Sequence, residues 1–135
     1  GIVVLIEGVA FDKLREAPAE ESKYVADSKY NPWGPAPSDV YNETLMEWYE
    51  YFMFDGHLLA PKPYVFVIRT FNQHYVKLEF LDYIKNGMAF RTVTEKDPKG
   101  RIRKKKKAVR VHEDDGQVRI TLRYKMNIKK DNRAL

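Results

Sequence analysis

Methionine and histidine residues near a cluster of aromatic residues are the part of the sequence best suited to metal chemistry. Met46 and Met53 lie among the cluster, and His57 follows it. The aromatic residues are Trp48, Tyr49, Tyr51, Phe52 and Phe54. Thioether sulfur and imidazole nitrogen both ligate haem iron, and a flat apolar ligand suits aromatic surroundings. The same residues are equally typical of an ordinary hydrophobic core, where methionine fills gaps. Composition leaves both interpretations open.

The remaining polar residues give no support to enzymatic chemistry. His57, His74 and His112 are too far apart in sequence to form a local metal motif. The chain has no cysteine, which excludes disulfides, thiolate zinc sites and cysteine nucleophiles. It also lacks a nucleophile elbow around a serine and a glycine-rich phosphate loop. We therefore predict a non-enzymatic protein with no catalytic residue.

The elements that must position these residues belong to one domain of ordinary size. The chain has 135 residues, of which 44% are hydrophobic and 32% charged. This composition is typical of a folded globular protein, and we predict a single domain over residues 1–135. No apolar run approaches the roughly 20 residues that a membrane helix needs.

Alternating apolar and polar residues predict antiparallel strands. Residues 64–71 form a dense β-branched and aromatic run, and Tyr75–Phe80 alternates after the turn at residues 72–74. We expect these two runs to form a central hairpin. Val118–Tyr124 shows the clearest alternation in the chain, and Ile2–Ile6 is a further strand. The predicted fold class is mainly β, a single antiparallel β domain with hairpin connections.

The region around Met53 has two interpretations. A helical stripe is approximated by Val40, Leu45, Trp48 and Phe52, with Ser38 as N-cap, whereas Trp48–Phe54 also fits a strand. Asp55-Gly56 follows directly and is a typical type I′ hairpin signal, which favours the strand. The proline-rich residues 31–37 before this region are predicted to be a loop.

Positive charge is concentrated in the second half of the chain. Residues 1–62 carry a net charge of −6 and residues 63–135 a net charge of +11. The run Lys99–Lys107, within residues 95–115, is predicted to be an exposed basic loop inserted into the fold. Such a run can contact nucleic-acid phosphates or anionic lipid headgroups. No aromatic residues are interleaved with it, which argues against a nucleic-acid stacking platform.

Three stretches of the chain resemble the HmuY family of haem-binding lipoproteins of Gram-negative outer membranes. The strongest runs from Trp48 through His57 and continues over residues 64–70 and 75–83. The others are residues 1–27, with Phe11-Asp12 and Ala17-Pro18, and the closing strand Val118–Tyr124. Counted from first to last residue, the three stretches span a little over half of the chain, and the order and spacing of the strongest are fairly specific.

The resemblance implies an all-β fold that clamps haem between loops with two axial His or Met ligands. It implies Met53 as one axial ligand, with His57 as the competing candidate. It further implies iron acquisition at the bacterial outer surface and transfer of haem to an outer-membrane receptor. A lipid anchor and N-terminal strands outside residues 1–135 also belong to that expectation. The competing hypothesis is a surface protein-interaction module on the same scaffold without haem.

Overall fold

A computed structural model of the chain describes residues 1–29 and 41–135. Strands and short 3-10 helices make up its regular structure. The strands are β1 (Ile2–Ile6), β2 (Val25–Ala26), β3 (Tyr49–Phe52), β4 (Leu58–Pro61), β5 (Val65–Arg69), β6 (Tyr75–Lys85), β7 (Met88–Lys96), β8 (Ile102–Arg110) and β9 (Val118–Met126). The 3-10 helices are Phe11–Lys13, Glu21–Lys23 and Leu45–Trp48. The prediction of a mainly β chain with antiparallel hairpins is confirmed.

Hydrogen bonds join most strands in the order β2-β1-β5-β6-β7-β8, and β9 pairs with β6. Strands β3 and β4 form a separate two-stranded sheet. Helices long and apolar enough to cross a membrane are not found among the described residues. The chain divides into two compact units, and β6 and β9 contribute residues to both. Whether residues 1–135 act as one domain stays a prediction.

The first unit comprises the described residues of Gly1–Trp48, Lys62–Phe80 and Leu122–Leu135. Its central strand is β5, which pairs with β1 on one edge and β6 on the other. Both faces of β5 are covered, since Val65, Phe66 and Val67 are each at most 1% exposed. The predicted hairpin of residues 64–71 and 75–80 is therefore confirmed, with Ile68 opposite Val76.

Two groups of side chains cover the two faces of β5. On one face Phe66 meets the ring of Phe80 edge-on at 6.2 Å, and Trp48 stacks on Phe80 at 4.4 Å. On the other face Val67 packs in a cluster with Val4 and Tyr24. Burial raises the pKa of Tyr24 to about 12, and its hydroxyl donates to the Pro18 carbonyl at 2.8 Å.

Lys77 is a buried cation in this unit, with 3% of its surface exposed. Its ammonium donates to the carbonyls of Phe11 at 2.6 Å and Leu14 at 2.9 Å, and it lies 4.4 Å from the centre of the Phe11 ring. Burial lowers the pKa of Lys77. These bonds offset the cost of burying the charge and tie the first 3-10 helix to β6.

The second unit comprises Tyr49–Pro61 and Leu81–Thr121. Strands β6 and β7 meet at the two-residue turn Asn86-Gly87, where both residues have positive φ, as a type I′ turn requires. A Cβ on Gly87 would lie 2.2 Å from the His112 carbonyl oxygen, so no other residue fits there. Strand β8 then pairs with β7 along its whole length, from Met88 opposite Arg110 to Lys96 opposite Ile102.

Two sequence predictions need correction. The basic run 99–107 was expected to be a loop, but Ile102–Arg110 forms strand β8, and only residues 97–101 turn. Its side chains are exposed as expected, except that Ala108 and Val109 at its far end are half-buried. The predicted strand Trp48–Phe54 is shorter, because Trp48 ends a 3-10 helix and Met53 and Phe54 lie in the turn after β3. The loop predicted for residues 31–37 lies outside the described residues.

Candidate functional site

The candidate ligands Met53 and His57 both lie in the turn that joins β3 to β4. The two strands pair from Tyr49 opposite Pro61 to Phe52 opposite Leu58, which leaves residues 53–57 as the connection. The predicted Asp55-Gly56 hairpin is thus present, but its connection has five residues rather than two. Gly56 has a φ of 75° and His57 a φ of 57°, both in the left-handed region.

Side chains at this tip are exposed to an unusual degree for their type. Phe54 is 93% exposed, Met53 is 51% exposed and Tyr51 is 50% exposed. Isolated exposed apolar residues are common on protein surfaces, but three adjoining ones with a histidine form a patch. The interpretation of Met53 as an ordinary core residue is therefore wrong for this side chain.

Tyr51 and His57 contact each other directly. The Tyr51 hydroxyl forms a short hydrogen bond with His57 Nδ1, and the ring centres are 5.9 Å apart. Among the described residues His57 Nε2 has no hydrogen-bond partner. When Nε2 binds a metal, Nδ1 carries the ring proton and donates it to the tyrosine oxygen. The bond therefore orients the imidazole with its free nitrogen available to a ligand.

The base of the hairpin is fixed by packing within the second unit. Phe52 stacks on Phe90 of β7, with ring centres 3.7 Å apart and planes inclined by 16°. Leu58, opposite Phe52, is 2% exposed. Phe52 and Leu58 thus anchor this end of the hairpin, while Glu50 and Tyr51 of β3 are exposed, which holds the tip on a rigid support.

The other residues that the sequence singled out do not join this site. Met46 lies in the 3-10 helix of the first unit and is 39% exposed. His74 lies in the turn before β6, where its Nδ1 contacts the Asn127 carbonyl oxygen at 3.1 Å. His112 lies in the second unit, where Nδ1 contacts the Glu113 carbonyl oxygen and Nε2 is buried without a partner among the described residues.

Tyr51 is a candidate site residue that the sequence did not single out. It belongs to the predicted aromatic cluster, and the structure adds the contact of its hydroxyl with His57. Their positions beside one hairpin turn were the available signal: Tyr51 lies opposite Leu59, so His57 is its diagonal neighbour across the hairpin.

The described residues contain no group of three His, Cys, Asp or Glu side chains placed to hold a metal ion, at the β3–β4 tip or in the other ranges. No protein-family model, curated protein or solved structure matches this chain.

Proposed function

We propose that the chain binds haem or a related tetrapyrrole without catalysing a reaction, and that the β3–β4 tip supplies one axial ligand. The observation that carries the proposal is the Tyr51–His57 hydrogen bond, which occupies Nδ1 of an exposed imidazole and leaves Nε2 without a hydrogen-bond partner among the described residues. His57 is the preferred ligand on this ground. Met53, the ligand favoured by the family resemblance, is the second donor of the same turn.

The residues at the β3–β4 tip fit the coordination chemistry of haem. Haem iron accepts imidazole or thioether ligands, and both donors are present in a connection of five residues. Phe54 and Tyr51 expose apolar surface beside them, which suits a flat macrocycle. Bound haem would supply a redox-active iron, while the protein's part is to orient the imidazole and cover the ring.

The resemblance to the HmuY family supports a biological setting for this activity. In that setting the chain carries haem at the bacterial outer surface, held by a lipid anchor outside these residues, and passes it to a receptor. The setting rests on the resemblance alone and is part of the proposal.

Titration with haemin, followed by absorption spectroscopy, tests the proposal. Wild-type protein should give a sharp Soret shift. His57→Ala should abolish that shift, whereas Met53→Ala should retain it. Tyr51→Phe keeps the ring but removes the hydroxyl, and should weaken binding by about 10- to 100-fold, as loss of a bond that orients a metal ligand does.

Three results would count against this assignment. Loss of the Soret shift in Met53→Ala, with the shift retained in His57→Ala, would assign the iron ligand to Met53. Equal behaviour of Tyr51→Phe and wild type would remove the orienting role of Tyr51. Absence of any Soret shift in the wild type would refute haem binding.

A protein-interaction module is the second candidate function, and the exposure of Phe54 favours it. A phenylalanine that is 93% exposed at a rigid hairpin tip is typical of an anchor that inserts into a partner's pocket. In that case Phe54→Ala should abolish partner binding, while His57→Ala should leave it unchanged.

A further inference from the structure

The β7–β8 hairpin holds most of the positive charge of the chain. Residues 88–110 contain ten Lys or Arg and two Asp or Glu, a net charge of +8. The whole chain has a net charge of +5, so the other residues together carry −3. Positive charge is therefore a local property of this hairpin.

The pairing register divides these charges between two faces of the hairpin. Directly opposed residues of antiparallel strands point to the same side, and successive residues alternate. Arg91, Val93 and Glu95 thus share one face with the β8 residues opposite them, which are Lys107, Lys105 and Arg103. Thr92, Thr94 and Lys96 share the other face with Lys106, Lys104 and Ile102.

Acidic groups neutralise the first of these faces. Arg91 forms two hydrogen bonds with the carboxylate of Asp82, at 2.7 and 2.9 Å. Lys107 pairs with Glu95 at 2.6 Å, and Arg103 pairs with Asp97 at 3.4 Å. These pairs leave Lys105 as the cation without an ion pair on this face, within the described residues.

The second face, which we call the lysine face, has no such compensation. Its members are Lys96, Lys104 and Lys106, with Thr92, Thr94 and Ile102 between them. None of the three lysines has an acidic group within ion-pairing distance in the part of the chain that the structure describes. Thr92, Thr94 and Lys96 are exposed, and Ile102 at the end of the face is 69% exposed.

We infer that the lysine face docks on the surface of an anionic lipid bilayer. Its charge is complementary to such a surface, and basic residues close to it are attracted without any specific geometry. Ile102 places an exposed apolar side chain among the lysines, where it can enter the headgroup region. This activity is independent of haem binding at the β3–β4 tip.

The composition of the lysine face favours a lipid over a nucleic acid. Arginine is the residue of choice for recognising nucleic-acid phosphates, and here Arg91 and Arg103 lie on the neutralised face. Arg110 lies on the same side as the lysine face, where it donates to the carbonyls of Asn86 and His112. Phe90, also on that side, is stacked on Phe52 and so is not free to stack on a base. Nucleic acid is therefore an outcome of the test rather than the proposal.

Co-sedimentation of the full chain with vesicles tests the inference. The protein should bind vesicles of phosphatidylcholine with phosphatidylserine and should not bind vesicles of phosphatidylcholine alone. Lys104→Gln with Lys106→Gln should lower the affinity by about 30-fold, which corresponds to about fivefold for each lysine at the surface. Ile102→Ser should lower it further without changing the net charge.

The matched control removes the same charge from the other face. Arg103→Gln with Lys105→Gln should lower the affinity for anionic vesicles by less than about fivefold, because these side chains point away from the bilayer and are partly screened by salt. Equal losses in the two double variants would overturn the assignment to the lysine face. The assignment of a lipid bilayer as the partner would be overturned if the wild type failed to bind anionic vesicles, or if it bound duplex DNA more tightly than vesicles.

Discussion

The hairpins β3–β4 and β7–β8 have connections of equal length but present opposite chemistry. Residues 53–57 and 97–101 each connect their strands through five residues. In each, the fourth residue is a glycine with positive φ, of 75° at Gly56 and 78° at Gly100. One tip exposes Met53, Phe54 and the imidazole of His57, whereas the other carries lysine and arginine.

The two tips also differ in how they are held. In the β7–β8 tip, Asp97 Oδ1 accepts hydrogen bonds from the backbone N–H groups of Lys99 at 2.9 Å and Arg101 at 2.8 Å. The acid of the β3–β4 tip is Asp55, the third residue of its connection where Asp97 is the first, and it makes no side-chain hydrogen bond among the described residues. There the side-chain contact is the one between Tyr51 and His57. Connections of equal length therefore hold their tips differently, through the Asp97 carboxylate in one hairpin and through the candidate ligand His57 in the other.

The two hairpins should differ most in how strongly salt weakens the binding of their ligands. Raising the salt concentration from about 0.05 M to about 0.5 M should weaken vesicle binding by about 100-fold, since three lysines at about 1 kcal/mol each become screened. Haemin affinity should change by less than about twofold, because coordination and apolar contact are not screened. The measurements are co-sedimentation and Soret titration across the same salt series. Equal salt dependence would show that both ligands are held by the same charges.

Removal of the two tip acids should destabilise one hairpin and not the other. Asp97→Ala should lower the free energy of unfolding by about 1–2 kcal/mol, because two backbone donors and two arginines lose their acceptor. Asp55→Ala is the control and should change it by less than about 0.5 kcal/mol. Chemical denaturation of both variants measures the difference. A loss of equal size in Asp55→Ala would mean that its carboxylate holds the β3–β4 tip.

Alanine in place of each tip glycine should have nearly the same effect on both hairpins. Gly56→Ala and Gly100→Ala should each lower the free energy of unfolding by about 1 kcal/mol, because a left-handed φ strains an L-residue. A Cβ would meet no neighbour at either site, so steric clash adds nothing to this cost. Thermal or chemical unfolding checks this.

Gly87→Ala is the contrasting variant. Gly87 has a φ of 77°, and a Cβ there would lie 2.2 Å from a backbone oxygen. Gly87→Ala should therefore lower the free energy of unfolding more than Gly56→Ala or Gly100→Ala does. A loss no greater than that of Gly100→Ala would show that the turn can rearrange.

The sequence predicted the hairpins well where apolar alternation and turn residues agreed. Tyr75–Phe80 alternates next to a dense apolar run, and Asp55-Gly56 marks a turn, so the β5–β6 hairpin and the position of the β3–β4 turn were both identified. The placement of Met53 and His57 in one region also followed from that turn. These features are local, and local propensities are enough to predict them.

The basic strand was missed because its stability is not local. A run of four lysines repels itself and is a poor strand former, which favours a loop. Pairing with the Thr-Val-Thr segment of β7 and neutralisation by Glu95 and Asp97 override that tendency. The Tyr51–His57 bond was missed for a different reason, because residue types alone do not predict the left-handed φ that His57 adopts.

The smallest expected effect is the pH dependence of the β7–β8 hairpin. A hydrogen bond from Lys107, together with the charge of Lys107, lowers the pKa of Glu95 below its usual value. A carboxyl group whose pKa is lower in the folded state contributes stability above its unfolded pKa, and that contribution is lost as the pH falls through the folded pKa. Stability should therefore decline slightly on acidification below the usual glutamate range. The pair is exposed, so solvent screening keeps this decline small.

Glu95→Gln isolates this contribution. The variant should be slightly less stable than wild type at neutral pH, and the difference should vanish in acid, where Glu95 is protonated. Glu50→Gln in the β3–β4 hairpin is the matched control, since the described residues give Glu50 no ion pair, and it should show no such convergence. Denaturation midpoints at neutral and acidic pH measure both. If the Glu95→Gln difference persisted in acid, the effect of the substitution would come from packing rather than from the Lys107 pair, and the charge balance of that face would rest on Asp82 and Asp97 alone.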